Sequence, residues 1–385
     1  GNPYTLRSMT NKESDVRTIL KEGISLATDK YDTHNIKIWI DSETPESEIG
    51  KTISLKIYAY GEVCEDGECN GGKTDYTKQI ISQLDTTGKC PTVNDDGSVN
   101  VTEAEATNGY LCKAKDAYGD SYYYRGNVTN NYVKFADKYW RIVRINGDGT
   151  VRVIYDGTSA HANGESSSDR QIGTSAFNSS YNDNAYVGYM YGTTGASTYA
   201  AAHANTNDST IKVYIDNWYK TNILGTANEQ YLADNIFCND RSISSNKSSS
   251  SYNNLGYGTN KTVYRWYYFA DSSYNNKMML TCPQQNDAFT VSDTTKGNGA
   301  LTYPVGLLST DEIVLAGGWS ASNSGYYLYS GQYWWASSPY NFRSDAYVRD
   351  VGSDGNANDN YYVDHSIGVR PVFNLKAEVL AQGSG

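Results

Sequence analysis

The sequence is poor in several things that would place a chain quickly. No apolar run approaches the roughly 18–20 residues of a membrane span, and no signal-peptide pattern opens it, a gap that a processed ectodomain would share. No block of Lys or Arg occurs, and 32 basic against 43 acidic residues leave a net charge of −11. That balance excludes nucleic acid as the expected partner. There is no Walker motif, HExxH, GxSxG or helix-opening GxGxxG, so the common nucleotide, metalloprotease and serine-hydrolase signatures are missing. Phe (7), Pro (7), Met (4) and His (4) are all scarce. The hydrophobic share is 38 %, under the roughly 45–50 % of ordinary soluble domains. Tyrosine fills the gap, with 36 copies beside 35 Gly. A Tyr ring buries apolar area while its hydroxyl stays wet, so such a chain can build both a core and a contact surface.

Six cysteines stand at Cys64, Cys69, Cys90, Cys112, Cys238 and Cys282. None forms a CxxC or lies near a His at zinc-ligand spacing, so no metal site is expected, and an even number favours disulfides in an oxidising, extracellular setting. The pairing is open from sequence; joining neighbours in order gives Cys64–Cys69, Cys90–Cys112 and Cys238–Cys282.

The 385 residues suggest two domains at roughly 100–200 residues each. Residues 1–63 read as a small β-rich module: a helix-like stretch over 11–26 carrying Val16, Ile19 and Leu20, then alternating strands at 35–40 and 52–58. Residues 64–109 read as a Cys-, Gly- and Asp-rich connector with a helix over 75–84 and an ordinary turn at Asn94–Gly97. From Tyr110 the texture becomes that of short strands: 122–126, 132–135, 139–145 and 150–155, the last two joined by Asn146-Gly-Asp-Gly149, a strong hairpin signal. The best helix spans 209–224, capped by Ser209, with Ile211, Tyr214, Ile215 and Trp218 on one face. Residues 242–262 read as a mobile loop, and 307–315 as a short helix with Thr310 placed before Asp311-Glu312. No fixed-period repeat is present.

Residues 340–366 differ from everything around them. Apart from Ala346, Val348, Val351, Ala357 and Val363, every position is Tyr, Asn, Phe, Arg, Ser, Asp, Gly or His. The five small apolar residues read as buried anchors. The rest have the composition of a paratope, in which Tyr gives rigid contact area and Ser, Gly, Asn and Asp give adaptable hydrogen bonds. A polar surface loop is the plainer reading, but the concentration of Tyr and Arg, which dominate binding hot spots, favours recognition.

The blocks Trp334-Trp335-Ala-Ser-Ser-Pro339 and Gly368-Val-Arg-Pro-Val372, with that segment between them, resemble the C-terminal variable region of diversity-generating-retroelement target proteins. Upstream, 121–126, 139–147 and 306–313 look like framework of surface proteins from gut Firmicutes, and the resemblance covers roughly residues 110–376. It implies a C-type-lectin-like (formylglycine-generating-enzyme-like) domain over 110–380 within an α+β chain. It also implies a mechanism for the composition: template adenines copied with errors turn Asn codons into Tyr, Asp, Ser, His, Arg, Gly or Phe without a stop. The ligand-facing positions would be Tyr340, Asn341, Phe342, Arg343, Asp345, Tyr347, Arg349, Asp350, Asn358, Asp359, Tyr361, Tyr362, Asp364 and His365. Trp334, Trp335, Arg370 and Pro371 would be scaffold. The N-terminal strands weakly resemble the closing strands of secreted β-sandwich or pilus-type subunits, which would allow assembly into a surface structure through that module.

Formylglycine-generating enzymes of this fold class need reactive cysteines late in the chain, and none follows Cys282. His34, His161 and His203 read as surface or turn residues, and His365 as part of the binding surface. Asp311-Glu312 suits a helix N-terminus, where carboxylates complement the macrodipole. Calcium-dependent lectin motifs are absent, with Pro283–Asp287 only a faint echo, and whether a calcium ion binds is left open. Trp319 and Tyr326-Tyr327-Leu-Tyr329 suit core packing better than sugar stacking. The reading is a secreted or cell-surface bacterial ligand-binding protein, not an enzyme, with no cofactor and with a protein on another cell, a phage or a host surface as partner. The alternatives are a pilus or surface-layer subunit and a hydrolase with an unrecognised site.

Overall fold

The computed structural model describes residues 76–245, 251–268 and 277–382. The chain divides between Thr74 and Asp75, so all described residues belong to the second unit. The expectations for residues 1–63, His34 and Cys64–Cys69 lie outside the described residues. What is described has the mixed α+β class expected.

Alternating strands build a first antiparallel sheet from β1 (Gly109–Asp116), β2 (Gly119–Gly126), β3 (Tyr132–Phe135), β4 (Lys138–Ile145) and β5 (Val151–Gly157). β4 is central, with β5 along one edge and β3 and β2 sharing the other. The β4–β5 hairpin closes as its sequence predicts: Gly149 sits at φ +82° and donates its N–H to Asn146 O at 2.9 Å. The free edge of β5 is taken by Val372–Leu375, which pairs with it antiparallel. The chain therefore leaves this sheet after residue 157 and returns to it some 215 residues later in sequence position, at 372.

The second sheet lies inside that excursion. It comprises β6 (Thr174–Ser175), β7 (Thr262–Val263), β8 (Trp334–Phe342), β9 (Ala346–Val351), β10 (Asp359–Tyr362) and β11 (Ile367–Gly368), in the order β10-β9-β8-β11-β6, with β7 also on β8. The returning strand Val372–Leu375 is β12.

Three helices matter here: α1 (Tyr76–Ile81), α2 (Thr210–Asn222) and α3 (Thr310–Leu315). Ser209 caps α2 by accepting from Lys212 N. Its buried face carries Ile211, Ile215 and Tyr219, and the Trp218 ring lies 6.2 Å from both Trp140 and Phe373 on the first sheet. α3 begins at Thr310, three residues later than the expected 307–315. Ser309, not Thr310, is its N-cap, in a reciprocal capping box with Glu312.

Two segments are more ordered in their contacts than their composition suggests. The connector, from residue 76 on, is part of the large unit: Cys90 is bonded to Cys112 on β1, Asp85 N–H donates to Leu111 O, and Glu105 N–H to Gly317 O. Within 242–262, Ser244 N–H donates to Val263 O, Asn254 N–H donates to Lys261 O, and Thr262–Val263 pair with Phe342 and Asn341. These contacts anchor the described parts of what reads as a mobile loop. The second disulfide is Cys238–Cys282; both observed pairings are those expected.

Buried ion pairs hold these pieces together. Asp156 on β5, fully buried, accepts from Arg141 Nε (3.1 Å), Arg170 Nε (2.8 Å) and Arg370 Nη2 (2.7 Å), all three also buried. The remaining guanidinium N–H groups are not wasted: Arg370 donates to Tyr155 O and Leu328 O, Arg170 to Glu165 O and Tyr327 O, and Arg141 to Val128 O and His161 O. Burial pulls the Arg370 guanidinium down to about 10 despite the Asp156 charge. A second cluster joins Asp116, Arg144, Arg152 and Glu312, tying β1, β4 and β5 to α3.

Removing one partner of such a cluster strands the others in a medium that cannot solvate them. Asp156→Asn is expected to lower unfolding free energy by about 3–5 kcal/mol. Lys113→Ala, which removes the half-exposed Lys113–Asp120 pair, is expected to cost under about 1 kcal/mol. Denaturant unfolding of the two variants checks this, and equal losses would contradict it.

Candidate functional site

Residues 334–368 fold as a meander because small apolar anchors alternate with larger polar and aromatic residues. Ala346, Val348, Val351, Ala357 and Val363 are all buried, as expected. Tyr347 pairs directly with Tyr362 across β9 and β10, so the two rings share a face and lie 4.3 Å apart. The turn after β9 is fixed by Gly355 at φ +83°, where a Cβ would fall 1.9 Å from Asn323 O.

Ring contacts run without a break from the buried Tyr252 out to the surface rings. Tyr252 meets Tyr267 at 6.2 Å, Tyr267 stacks on Tyr340 at 4.9 Å, and Tyr340 meets Tyr347 edge-on at 6.3 Å. Beyond the Tyr347–Tyr362 pair come His365 (5.5 Å from Tyr362), Tyr361 (4.9 Å from His365) and Tyr333 (5.5 Å from Tyr361). Arg343 donates to the hydroxyls of Tyr252 (2.7 Å) and Tyr267 (3.0 Å). Offset and edge-on pairs of this kind add about 0.5–1.5 kcal/mol each beyond burial, which holds the rings in place before anything binds.

The fourteen expected ligand-facing residues separate into two groups. Arg343, Tyr362, Asp364 and His365 are exposed, and Tyr340, Asp345, Tyr347, Asn358, Asp359 and Tyr361 are half-buried. Asn341, Phe342, Arg349 and Asp350 are buried, which corrects the expectation that they face a ligand. Asn341 lies mid-sheet, paired with Val263 on one side and Tyr347 on the other. Phe342 belongs to the hydrophobic core. Arg349 lies over the Tyr340 ring at 4.4 Å and donates to Trp266 O and Asn358 Oδ1, so it supports the face from beneath. Asp350 lies opposite Trp335 with neither carboxylate oxygen hydrogen-bonded. Burial first, then the neighbouring Asp359 charge, push it up to about 8. Trp334, Trp335 and Arg370 are buried scaffold as expected, and so is Pro371.

Tyr267 and Tyr333 belong to the face but lie outside 340–366, and Tyr252 backs Tyr267 from a buried position. No periodicity marks them, and only their type could have drawn attention. Two histidine expectations are also corrected. His161 is buried between Glu165 (2.8 Å) and Asp169 (2.9 Å), with one carboxylate at each ring nitrogen. His203 is buried, and desolvation, with the Arg241 charge second, takes it down to about 2. Asp311 and Glu312 do more than meet a helix dipole: Asp311 binds Arg265 and Glu312 binds Arg144 and Arg152. Tyr326 and Tyr327 are core, while Trp319 is half-buried against it. Asp287, in the faint calcium-lectin echo, is committed to Arg241. Among the described residues no group of three or more His, Cys, Asp or Glu side chains could hold a metal ion.

Residues 178–377, more than half of the chain, match the family described as a domain of unknown function, DUF6273. The chain belongs to that family. No curated protein and no solved structure matches it. The DUF6273 region holds the whole face from Tyr252 to His365 and also β12, while the sheet that β12 completes lies before it.

Asp350 keeps its proton in the folded chain at pH values where the unfolded chain has lost it. Its contribution to stability is complete below about pH 4 and is lost as pH rises toward about 8. Asp350→Asn removes that loss. Relative to the native chain, the variant is expected to gain about 2–5 kcal/mol between pH 4.5 and pH 8.5, read from urea unfolding at both pH values. A difference that is flat or reversed with pH would contradict the assignment.

Proposed function

We propose that this is a secreted or cell-surface bacterial ligand-binding protein whose residues 340–366 form a recognition face diversified by a retroelement on a C-type-lectin-like frame. The observation that carries the reading is the division of labour within that segment. Ala346, Val348, Val351, Ala357 and Val363 are buried, while Tyr and His side chains between them supply an outward run of contacting rings. Adenine-directed replacement of Asn codons, set among fixed Ala and Val codons, would yield that outside and that inside.

Other features support the same reading. The return of β12 to β5 brings both ends of a long irregular excursion onto one sheet, as a lectin-like frame would. Two disulfides suit an oxidising exterior, and no helix among the described residues is long and apolar enough to cross a membrane. Tyr anchors already packed against one another lose little entropy on binding, which suits a protein partner on another cell, a phage or a host surface. The buried positions Asn341, Phe342, Arg349 and Asp350 would shape the face without touching the ligand.

Sequencing the gene's neighbourhood and sibling genes tests this. The expected result is a near-copy of the coding segment for 334–371 beside a reverse-transcriptase gene, with differences at adenines. Variation should concentrate at exposed positions such as Arg343, Tyr362, Asp364 and His365 and spare Gly355 and the five anchors. Finding no such repeat would sink the diversification mechanism.

A further inference from the structure

Beside the Tyr362–His365 part of the ring run, an open cleft of about 240 Å³ is lined by Tyr181, Asp345, Tyr362, Asp364 and His365. Its walls come from separate segments that the backbone fastens together. Ala346 N–H donates to Tyr181 O at 2.7 Å, Arg343 N–H to Asp345 O at 3.2 Å, and His365 N–H to Tyr362 O at 3.0 Å. Among the described residues Tyr181 and Tyr362 are two of the few large hydrophobic side chains left exposed, at 43 % and 38 %. The cleft is shallow and open, with ring faces already turned to water.

Its charge is one-sided. Two carboxylates line it and no Lys or Arg does. Arg343, the nearest guanidinium in sequence, is bound instead to the hydroxyls of Tyr252 and Tyr267. Among the described residues the Asp345 carboxylate accepts only from the adjacent Ser344 hydroxyl, at 2.8 Å. Aromatic faces attract cations, and a carboxylate makes its strongest hydrogen bonds to an ammonium or guanidinium. An anion would be repelled here, and a neutral sugar could stack but would leave both carboxylates without a counter-charge. The volume suits one side chain rather than a segment of backbone.

We propose that this cleft is an anchor site for a single cationic side chain, Lys or Arg, presented by a protein partner. The assignment rests on the reading of 340–366 as a recognition face and names the chemistry of one of its subsites. Arginine is among the commonest hot-spot residues at protein interfaces, and here it would enter a ring-walled cleft while the flat tyrosine run meets the surrounding surface. Tyr181 lies outside the segment, so substitutions at 345, 362, 364 and 365 would retune the charge of the cleft against one constant wall.

The test is a titration of the full chain, labelled with ¹³C-tyrosine, with argininamide, methyl β-glucoside and acetate at low salt. Ring signals are assigned through Tyr181→Phe and Tyr362→Phe. Argininamide is expected to shift the Tyr181 and Tyr362 signals saturably, and the glucoside and acetate to leave them in place. The double variant Asp345→Asn/Asp364→Asn should weaken argininamide binding at least about tenfold, with an unfolding midpoint measured alongside to show that it folds. No saturable shift, equal binding of the glucoside, or unchanged binding by the double variant would overturn the proposal. The titration reads the cleft alone: its failure with a template repeat present removes the cation site only, whereas argininamide binding without a repeat removes only the diversification.

Discussion

Asp156 is the point at which the fold is tied. Its one carboxylate serves Arg141 from the neighbouring strand β4, Arg170 from the turn after β5, and Arg370 from the residues leading into β12. Arg170 and Arg370 come from the beginning and the end of the excursion that carries the second sheet, and Arg141 from the first sheet itself, so the cluster fixes where that excursion leaves and where it returns. Burying three guanidiniums around one carboxylate is costly in desolvation and is tolerated because backbone carbonyls take the remaining N–H groups. Arg370 also lies over the Trp334 ring at 5.0 Å, which carries the same constraint to the start of β8. Arg241–Asp287, Arg265 with Asp240 and Asp311, and the Glu312 cluster repeat the device elsewhere. A chain with 38 % hydrophobic residues has fewer apolar contacts with which to specify one packing, and buried directional pairs supply some of that specificity.

This arrangement leaves the outer face of β8, β9 and β10 with little structural duty. What holds the meander is beneath it: the small anchors, Trp334 and Trp335, Arg349 under Tyr340, and the Gly355 turn. The side chains that face water contact mainly one another. A surface built this way can change composition without disturbing the strands that carry it, which is the physical requirement of the proposed diversification. Asp350 marks the limit of that freedom, since a carboxyl buried without a hydrogen-bond partner is a cost borne inside the same segment.

Local patterns in the sequence anticipated local structure. The Asn146–Gly149 hairpin, the Ser209-capped helix and the five buried anchors all depend on spacing or turn chemistry that a short window contains, while the two described disulfides, 22 and 44 residues apart, match only the joining of neighbouring cysteines in order. Tertiary contacts did not show. A capping serine and the threonine beside it are chemically alike, so the choice of Ser309 rather than Thr310 as the cap of α3 was decided by geometry. His161 and His203 look like polar turn residues until Glu165, Asp169 and Arg241 are brought beside them. Arg141, Arg170 and Arg370 give no sign in sequence that one buried Asp collects them. Composition marked 340–366 as a contact segment, but it describes residue types rather than faces. It therefore included Asn341, Phe342, Arg349 and Asp350, which are buried, and left out Tyr252 and Tyr267, which complete the run of rings from other parts of the chain.

The central claim is that the frame carries the fold and the outer face is free to vary. It is tested most directly by replacing Arg343, Asp345, Tyr347, Tyr362, Asp364 and His365 together with Asn or Ser and measuring thermal unfolding beside the native chain. The account predicts one cooperative transition with its midpoint lowered by no more than a few degrees. Loss of cooperative unfolding, or failure of the variant to fold, would show that these side chains build the domain, and would contradict the account.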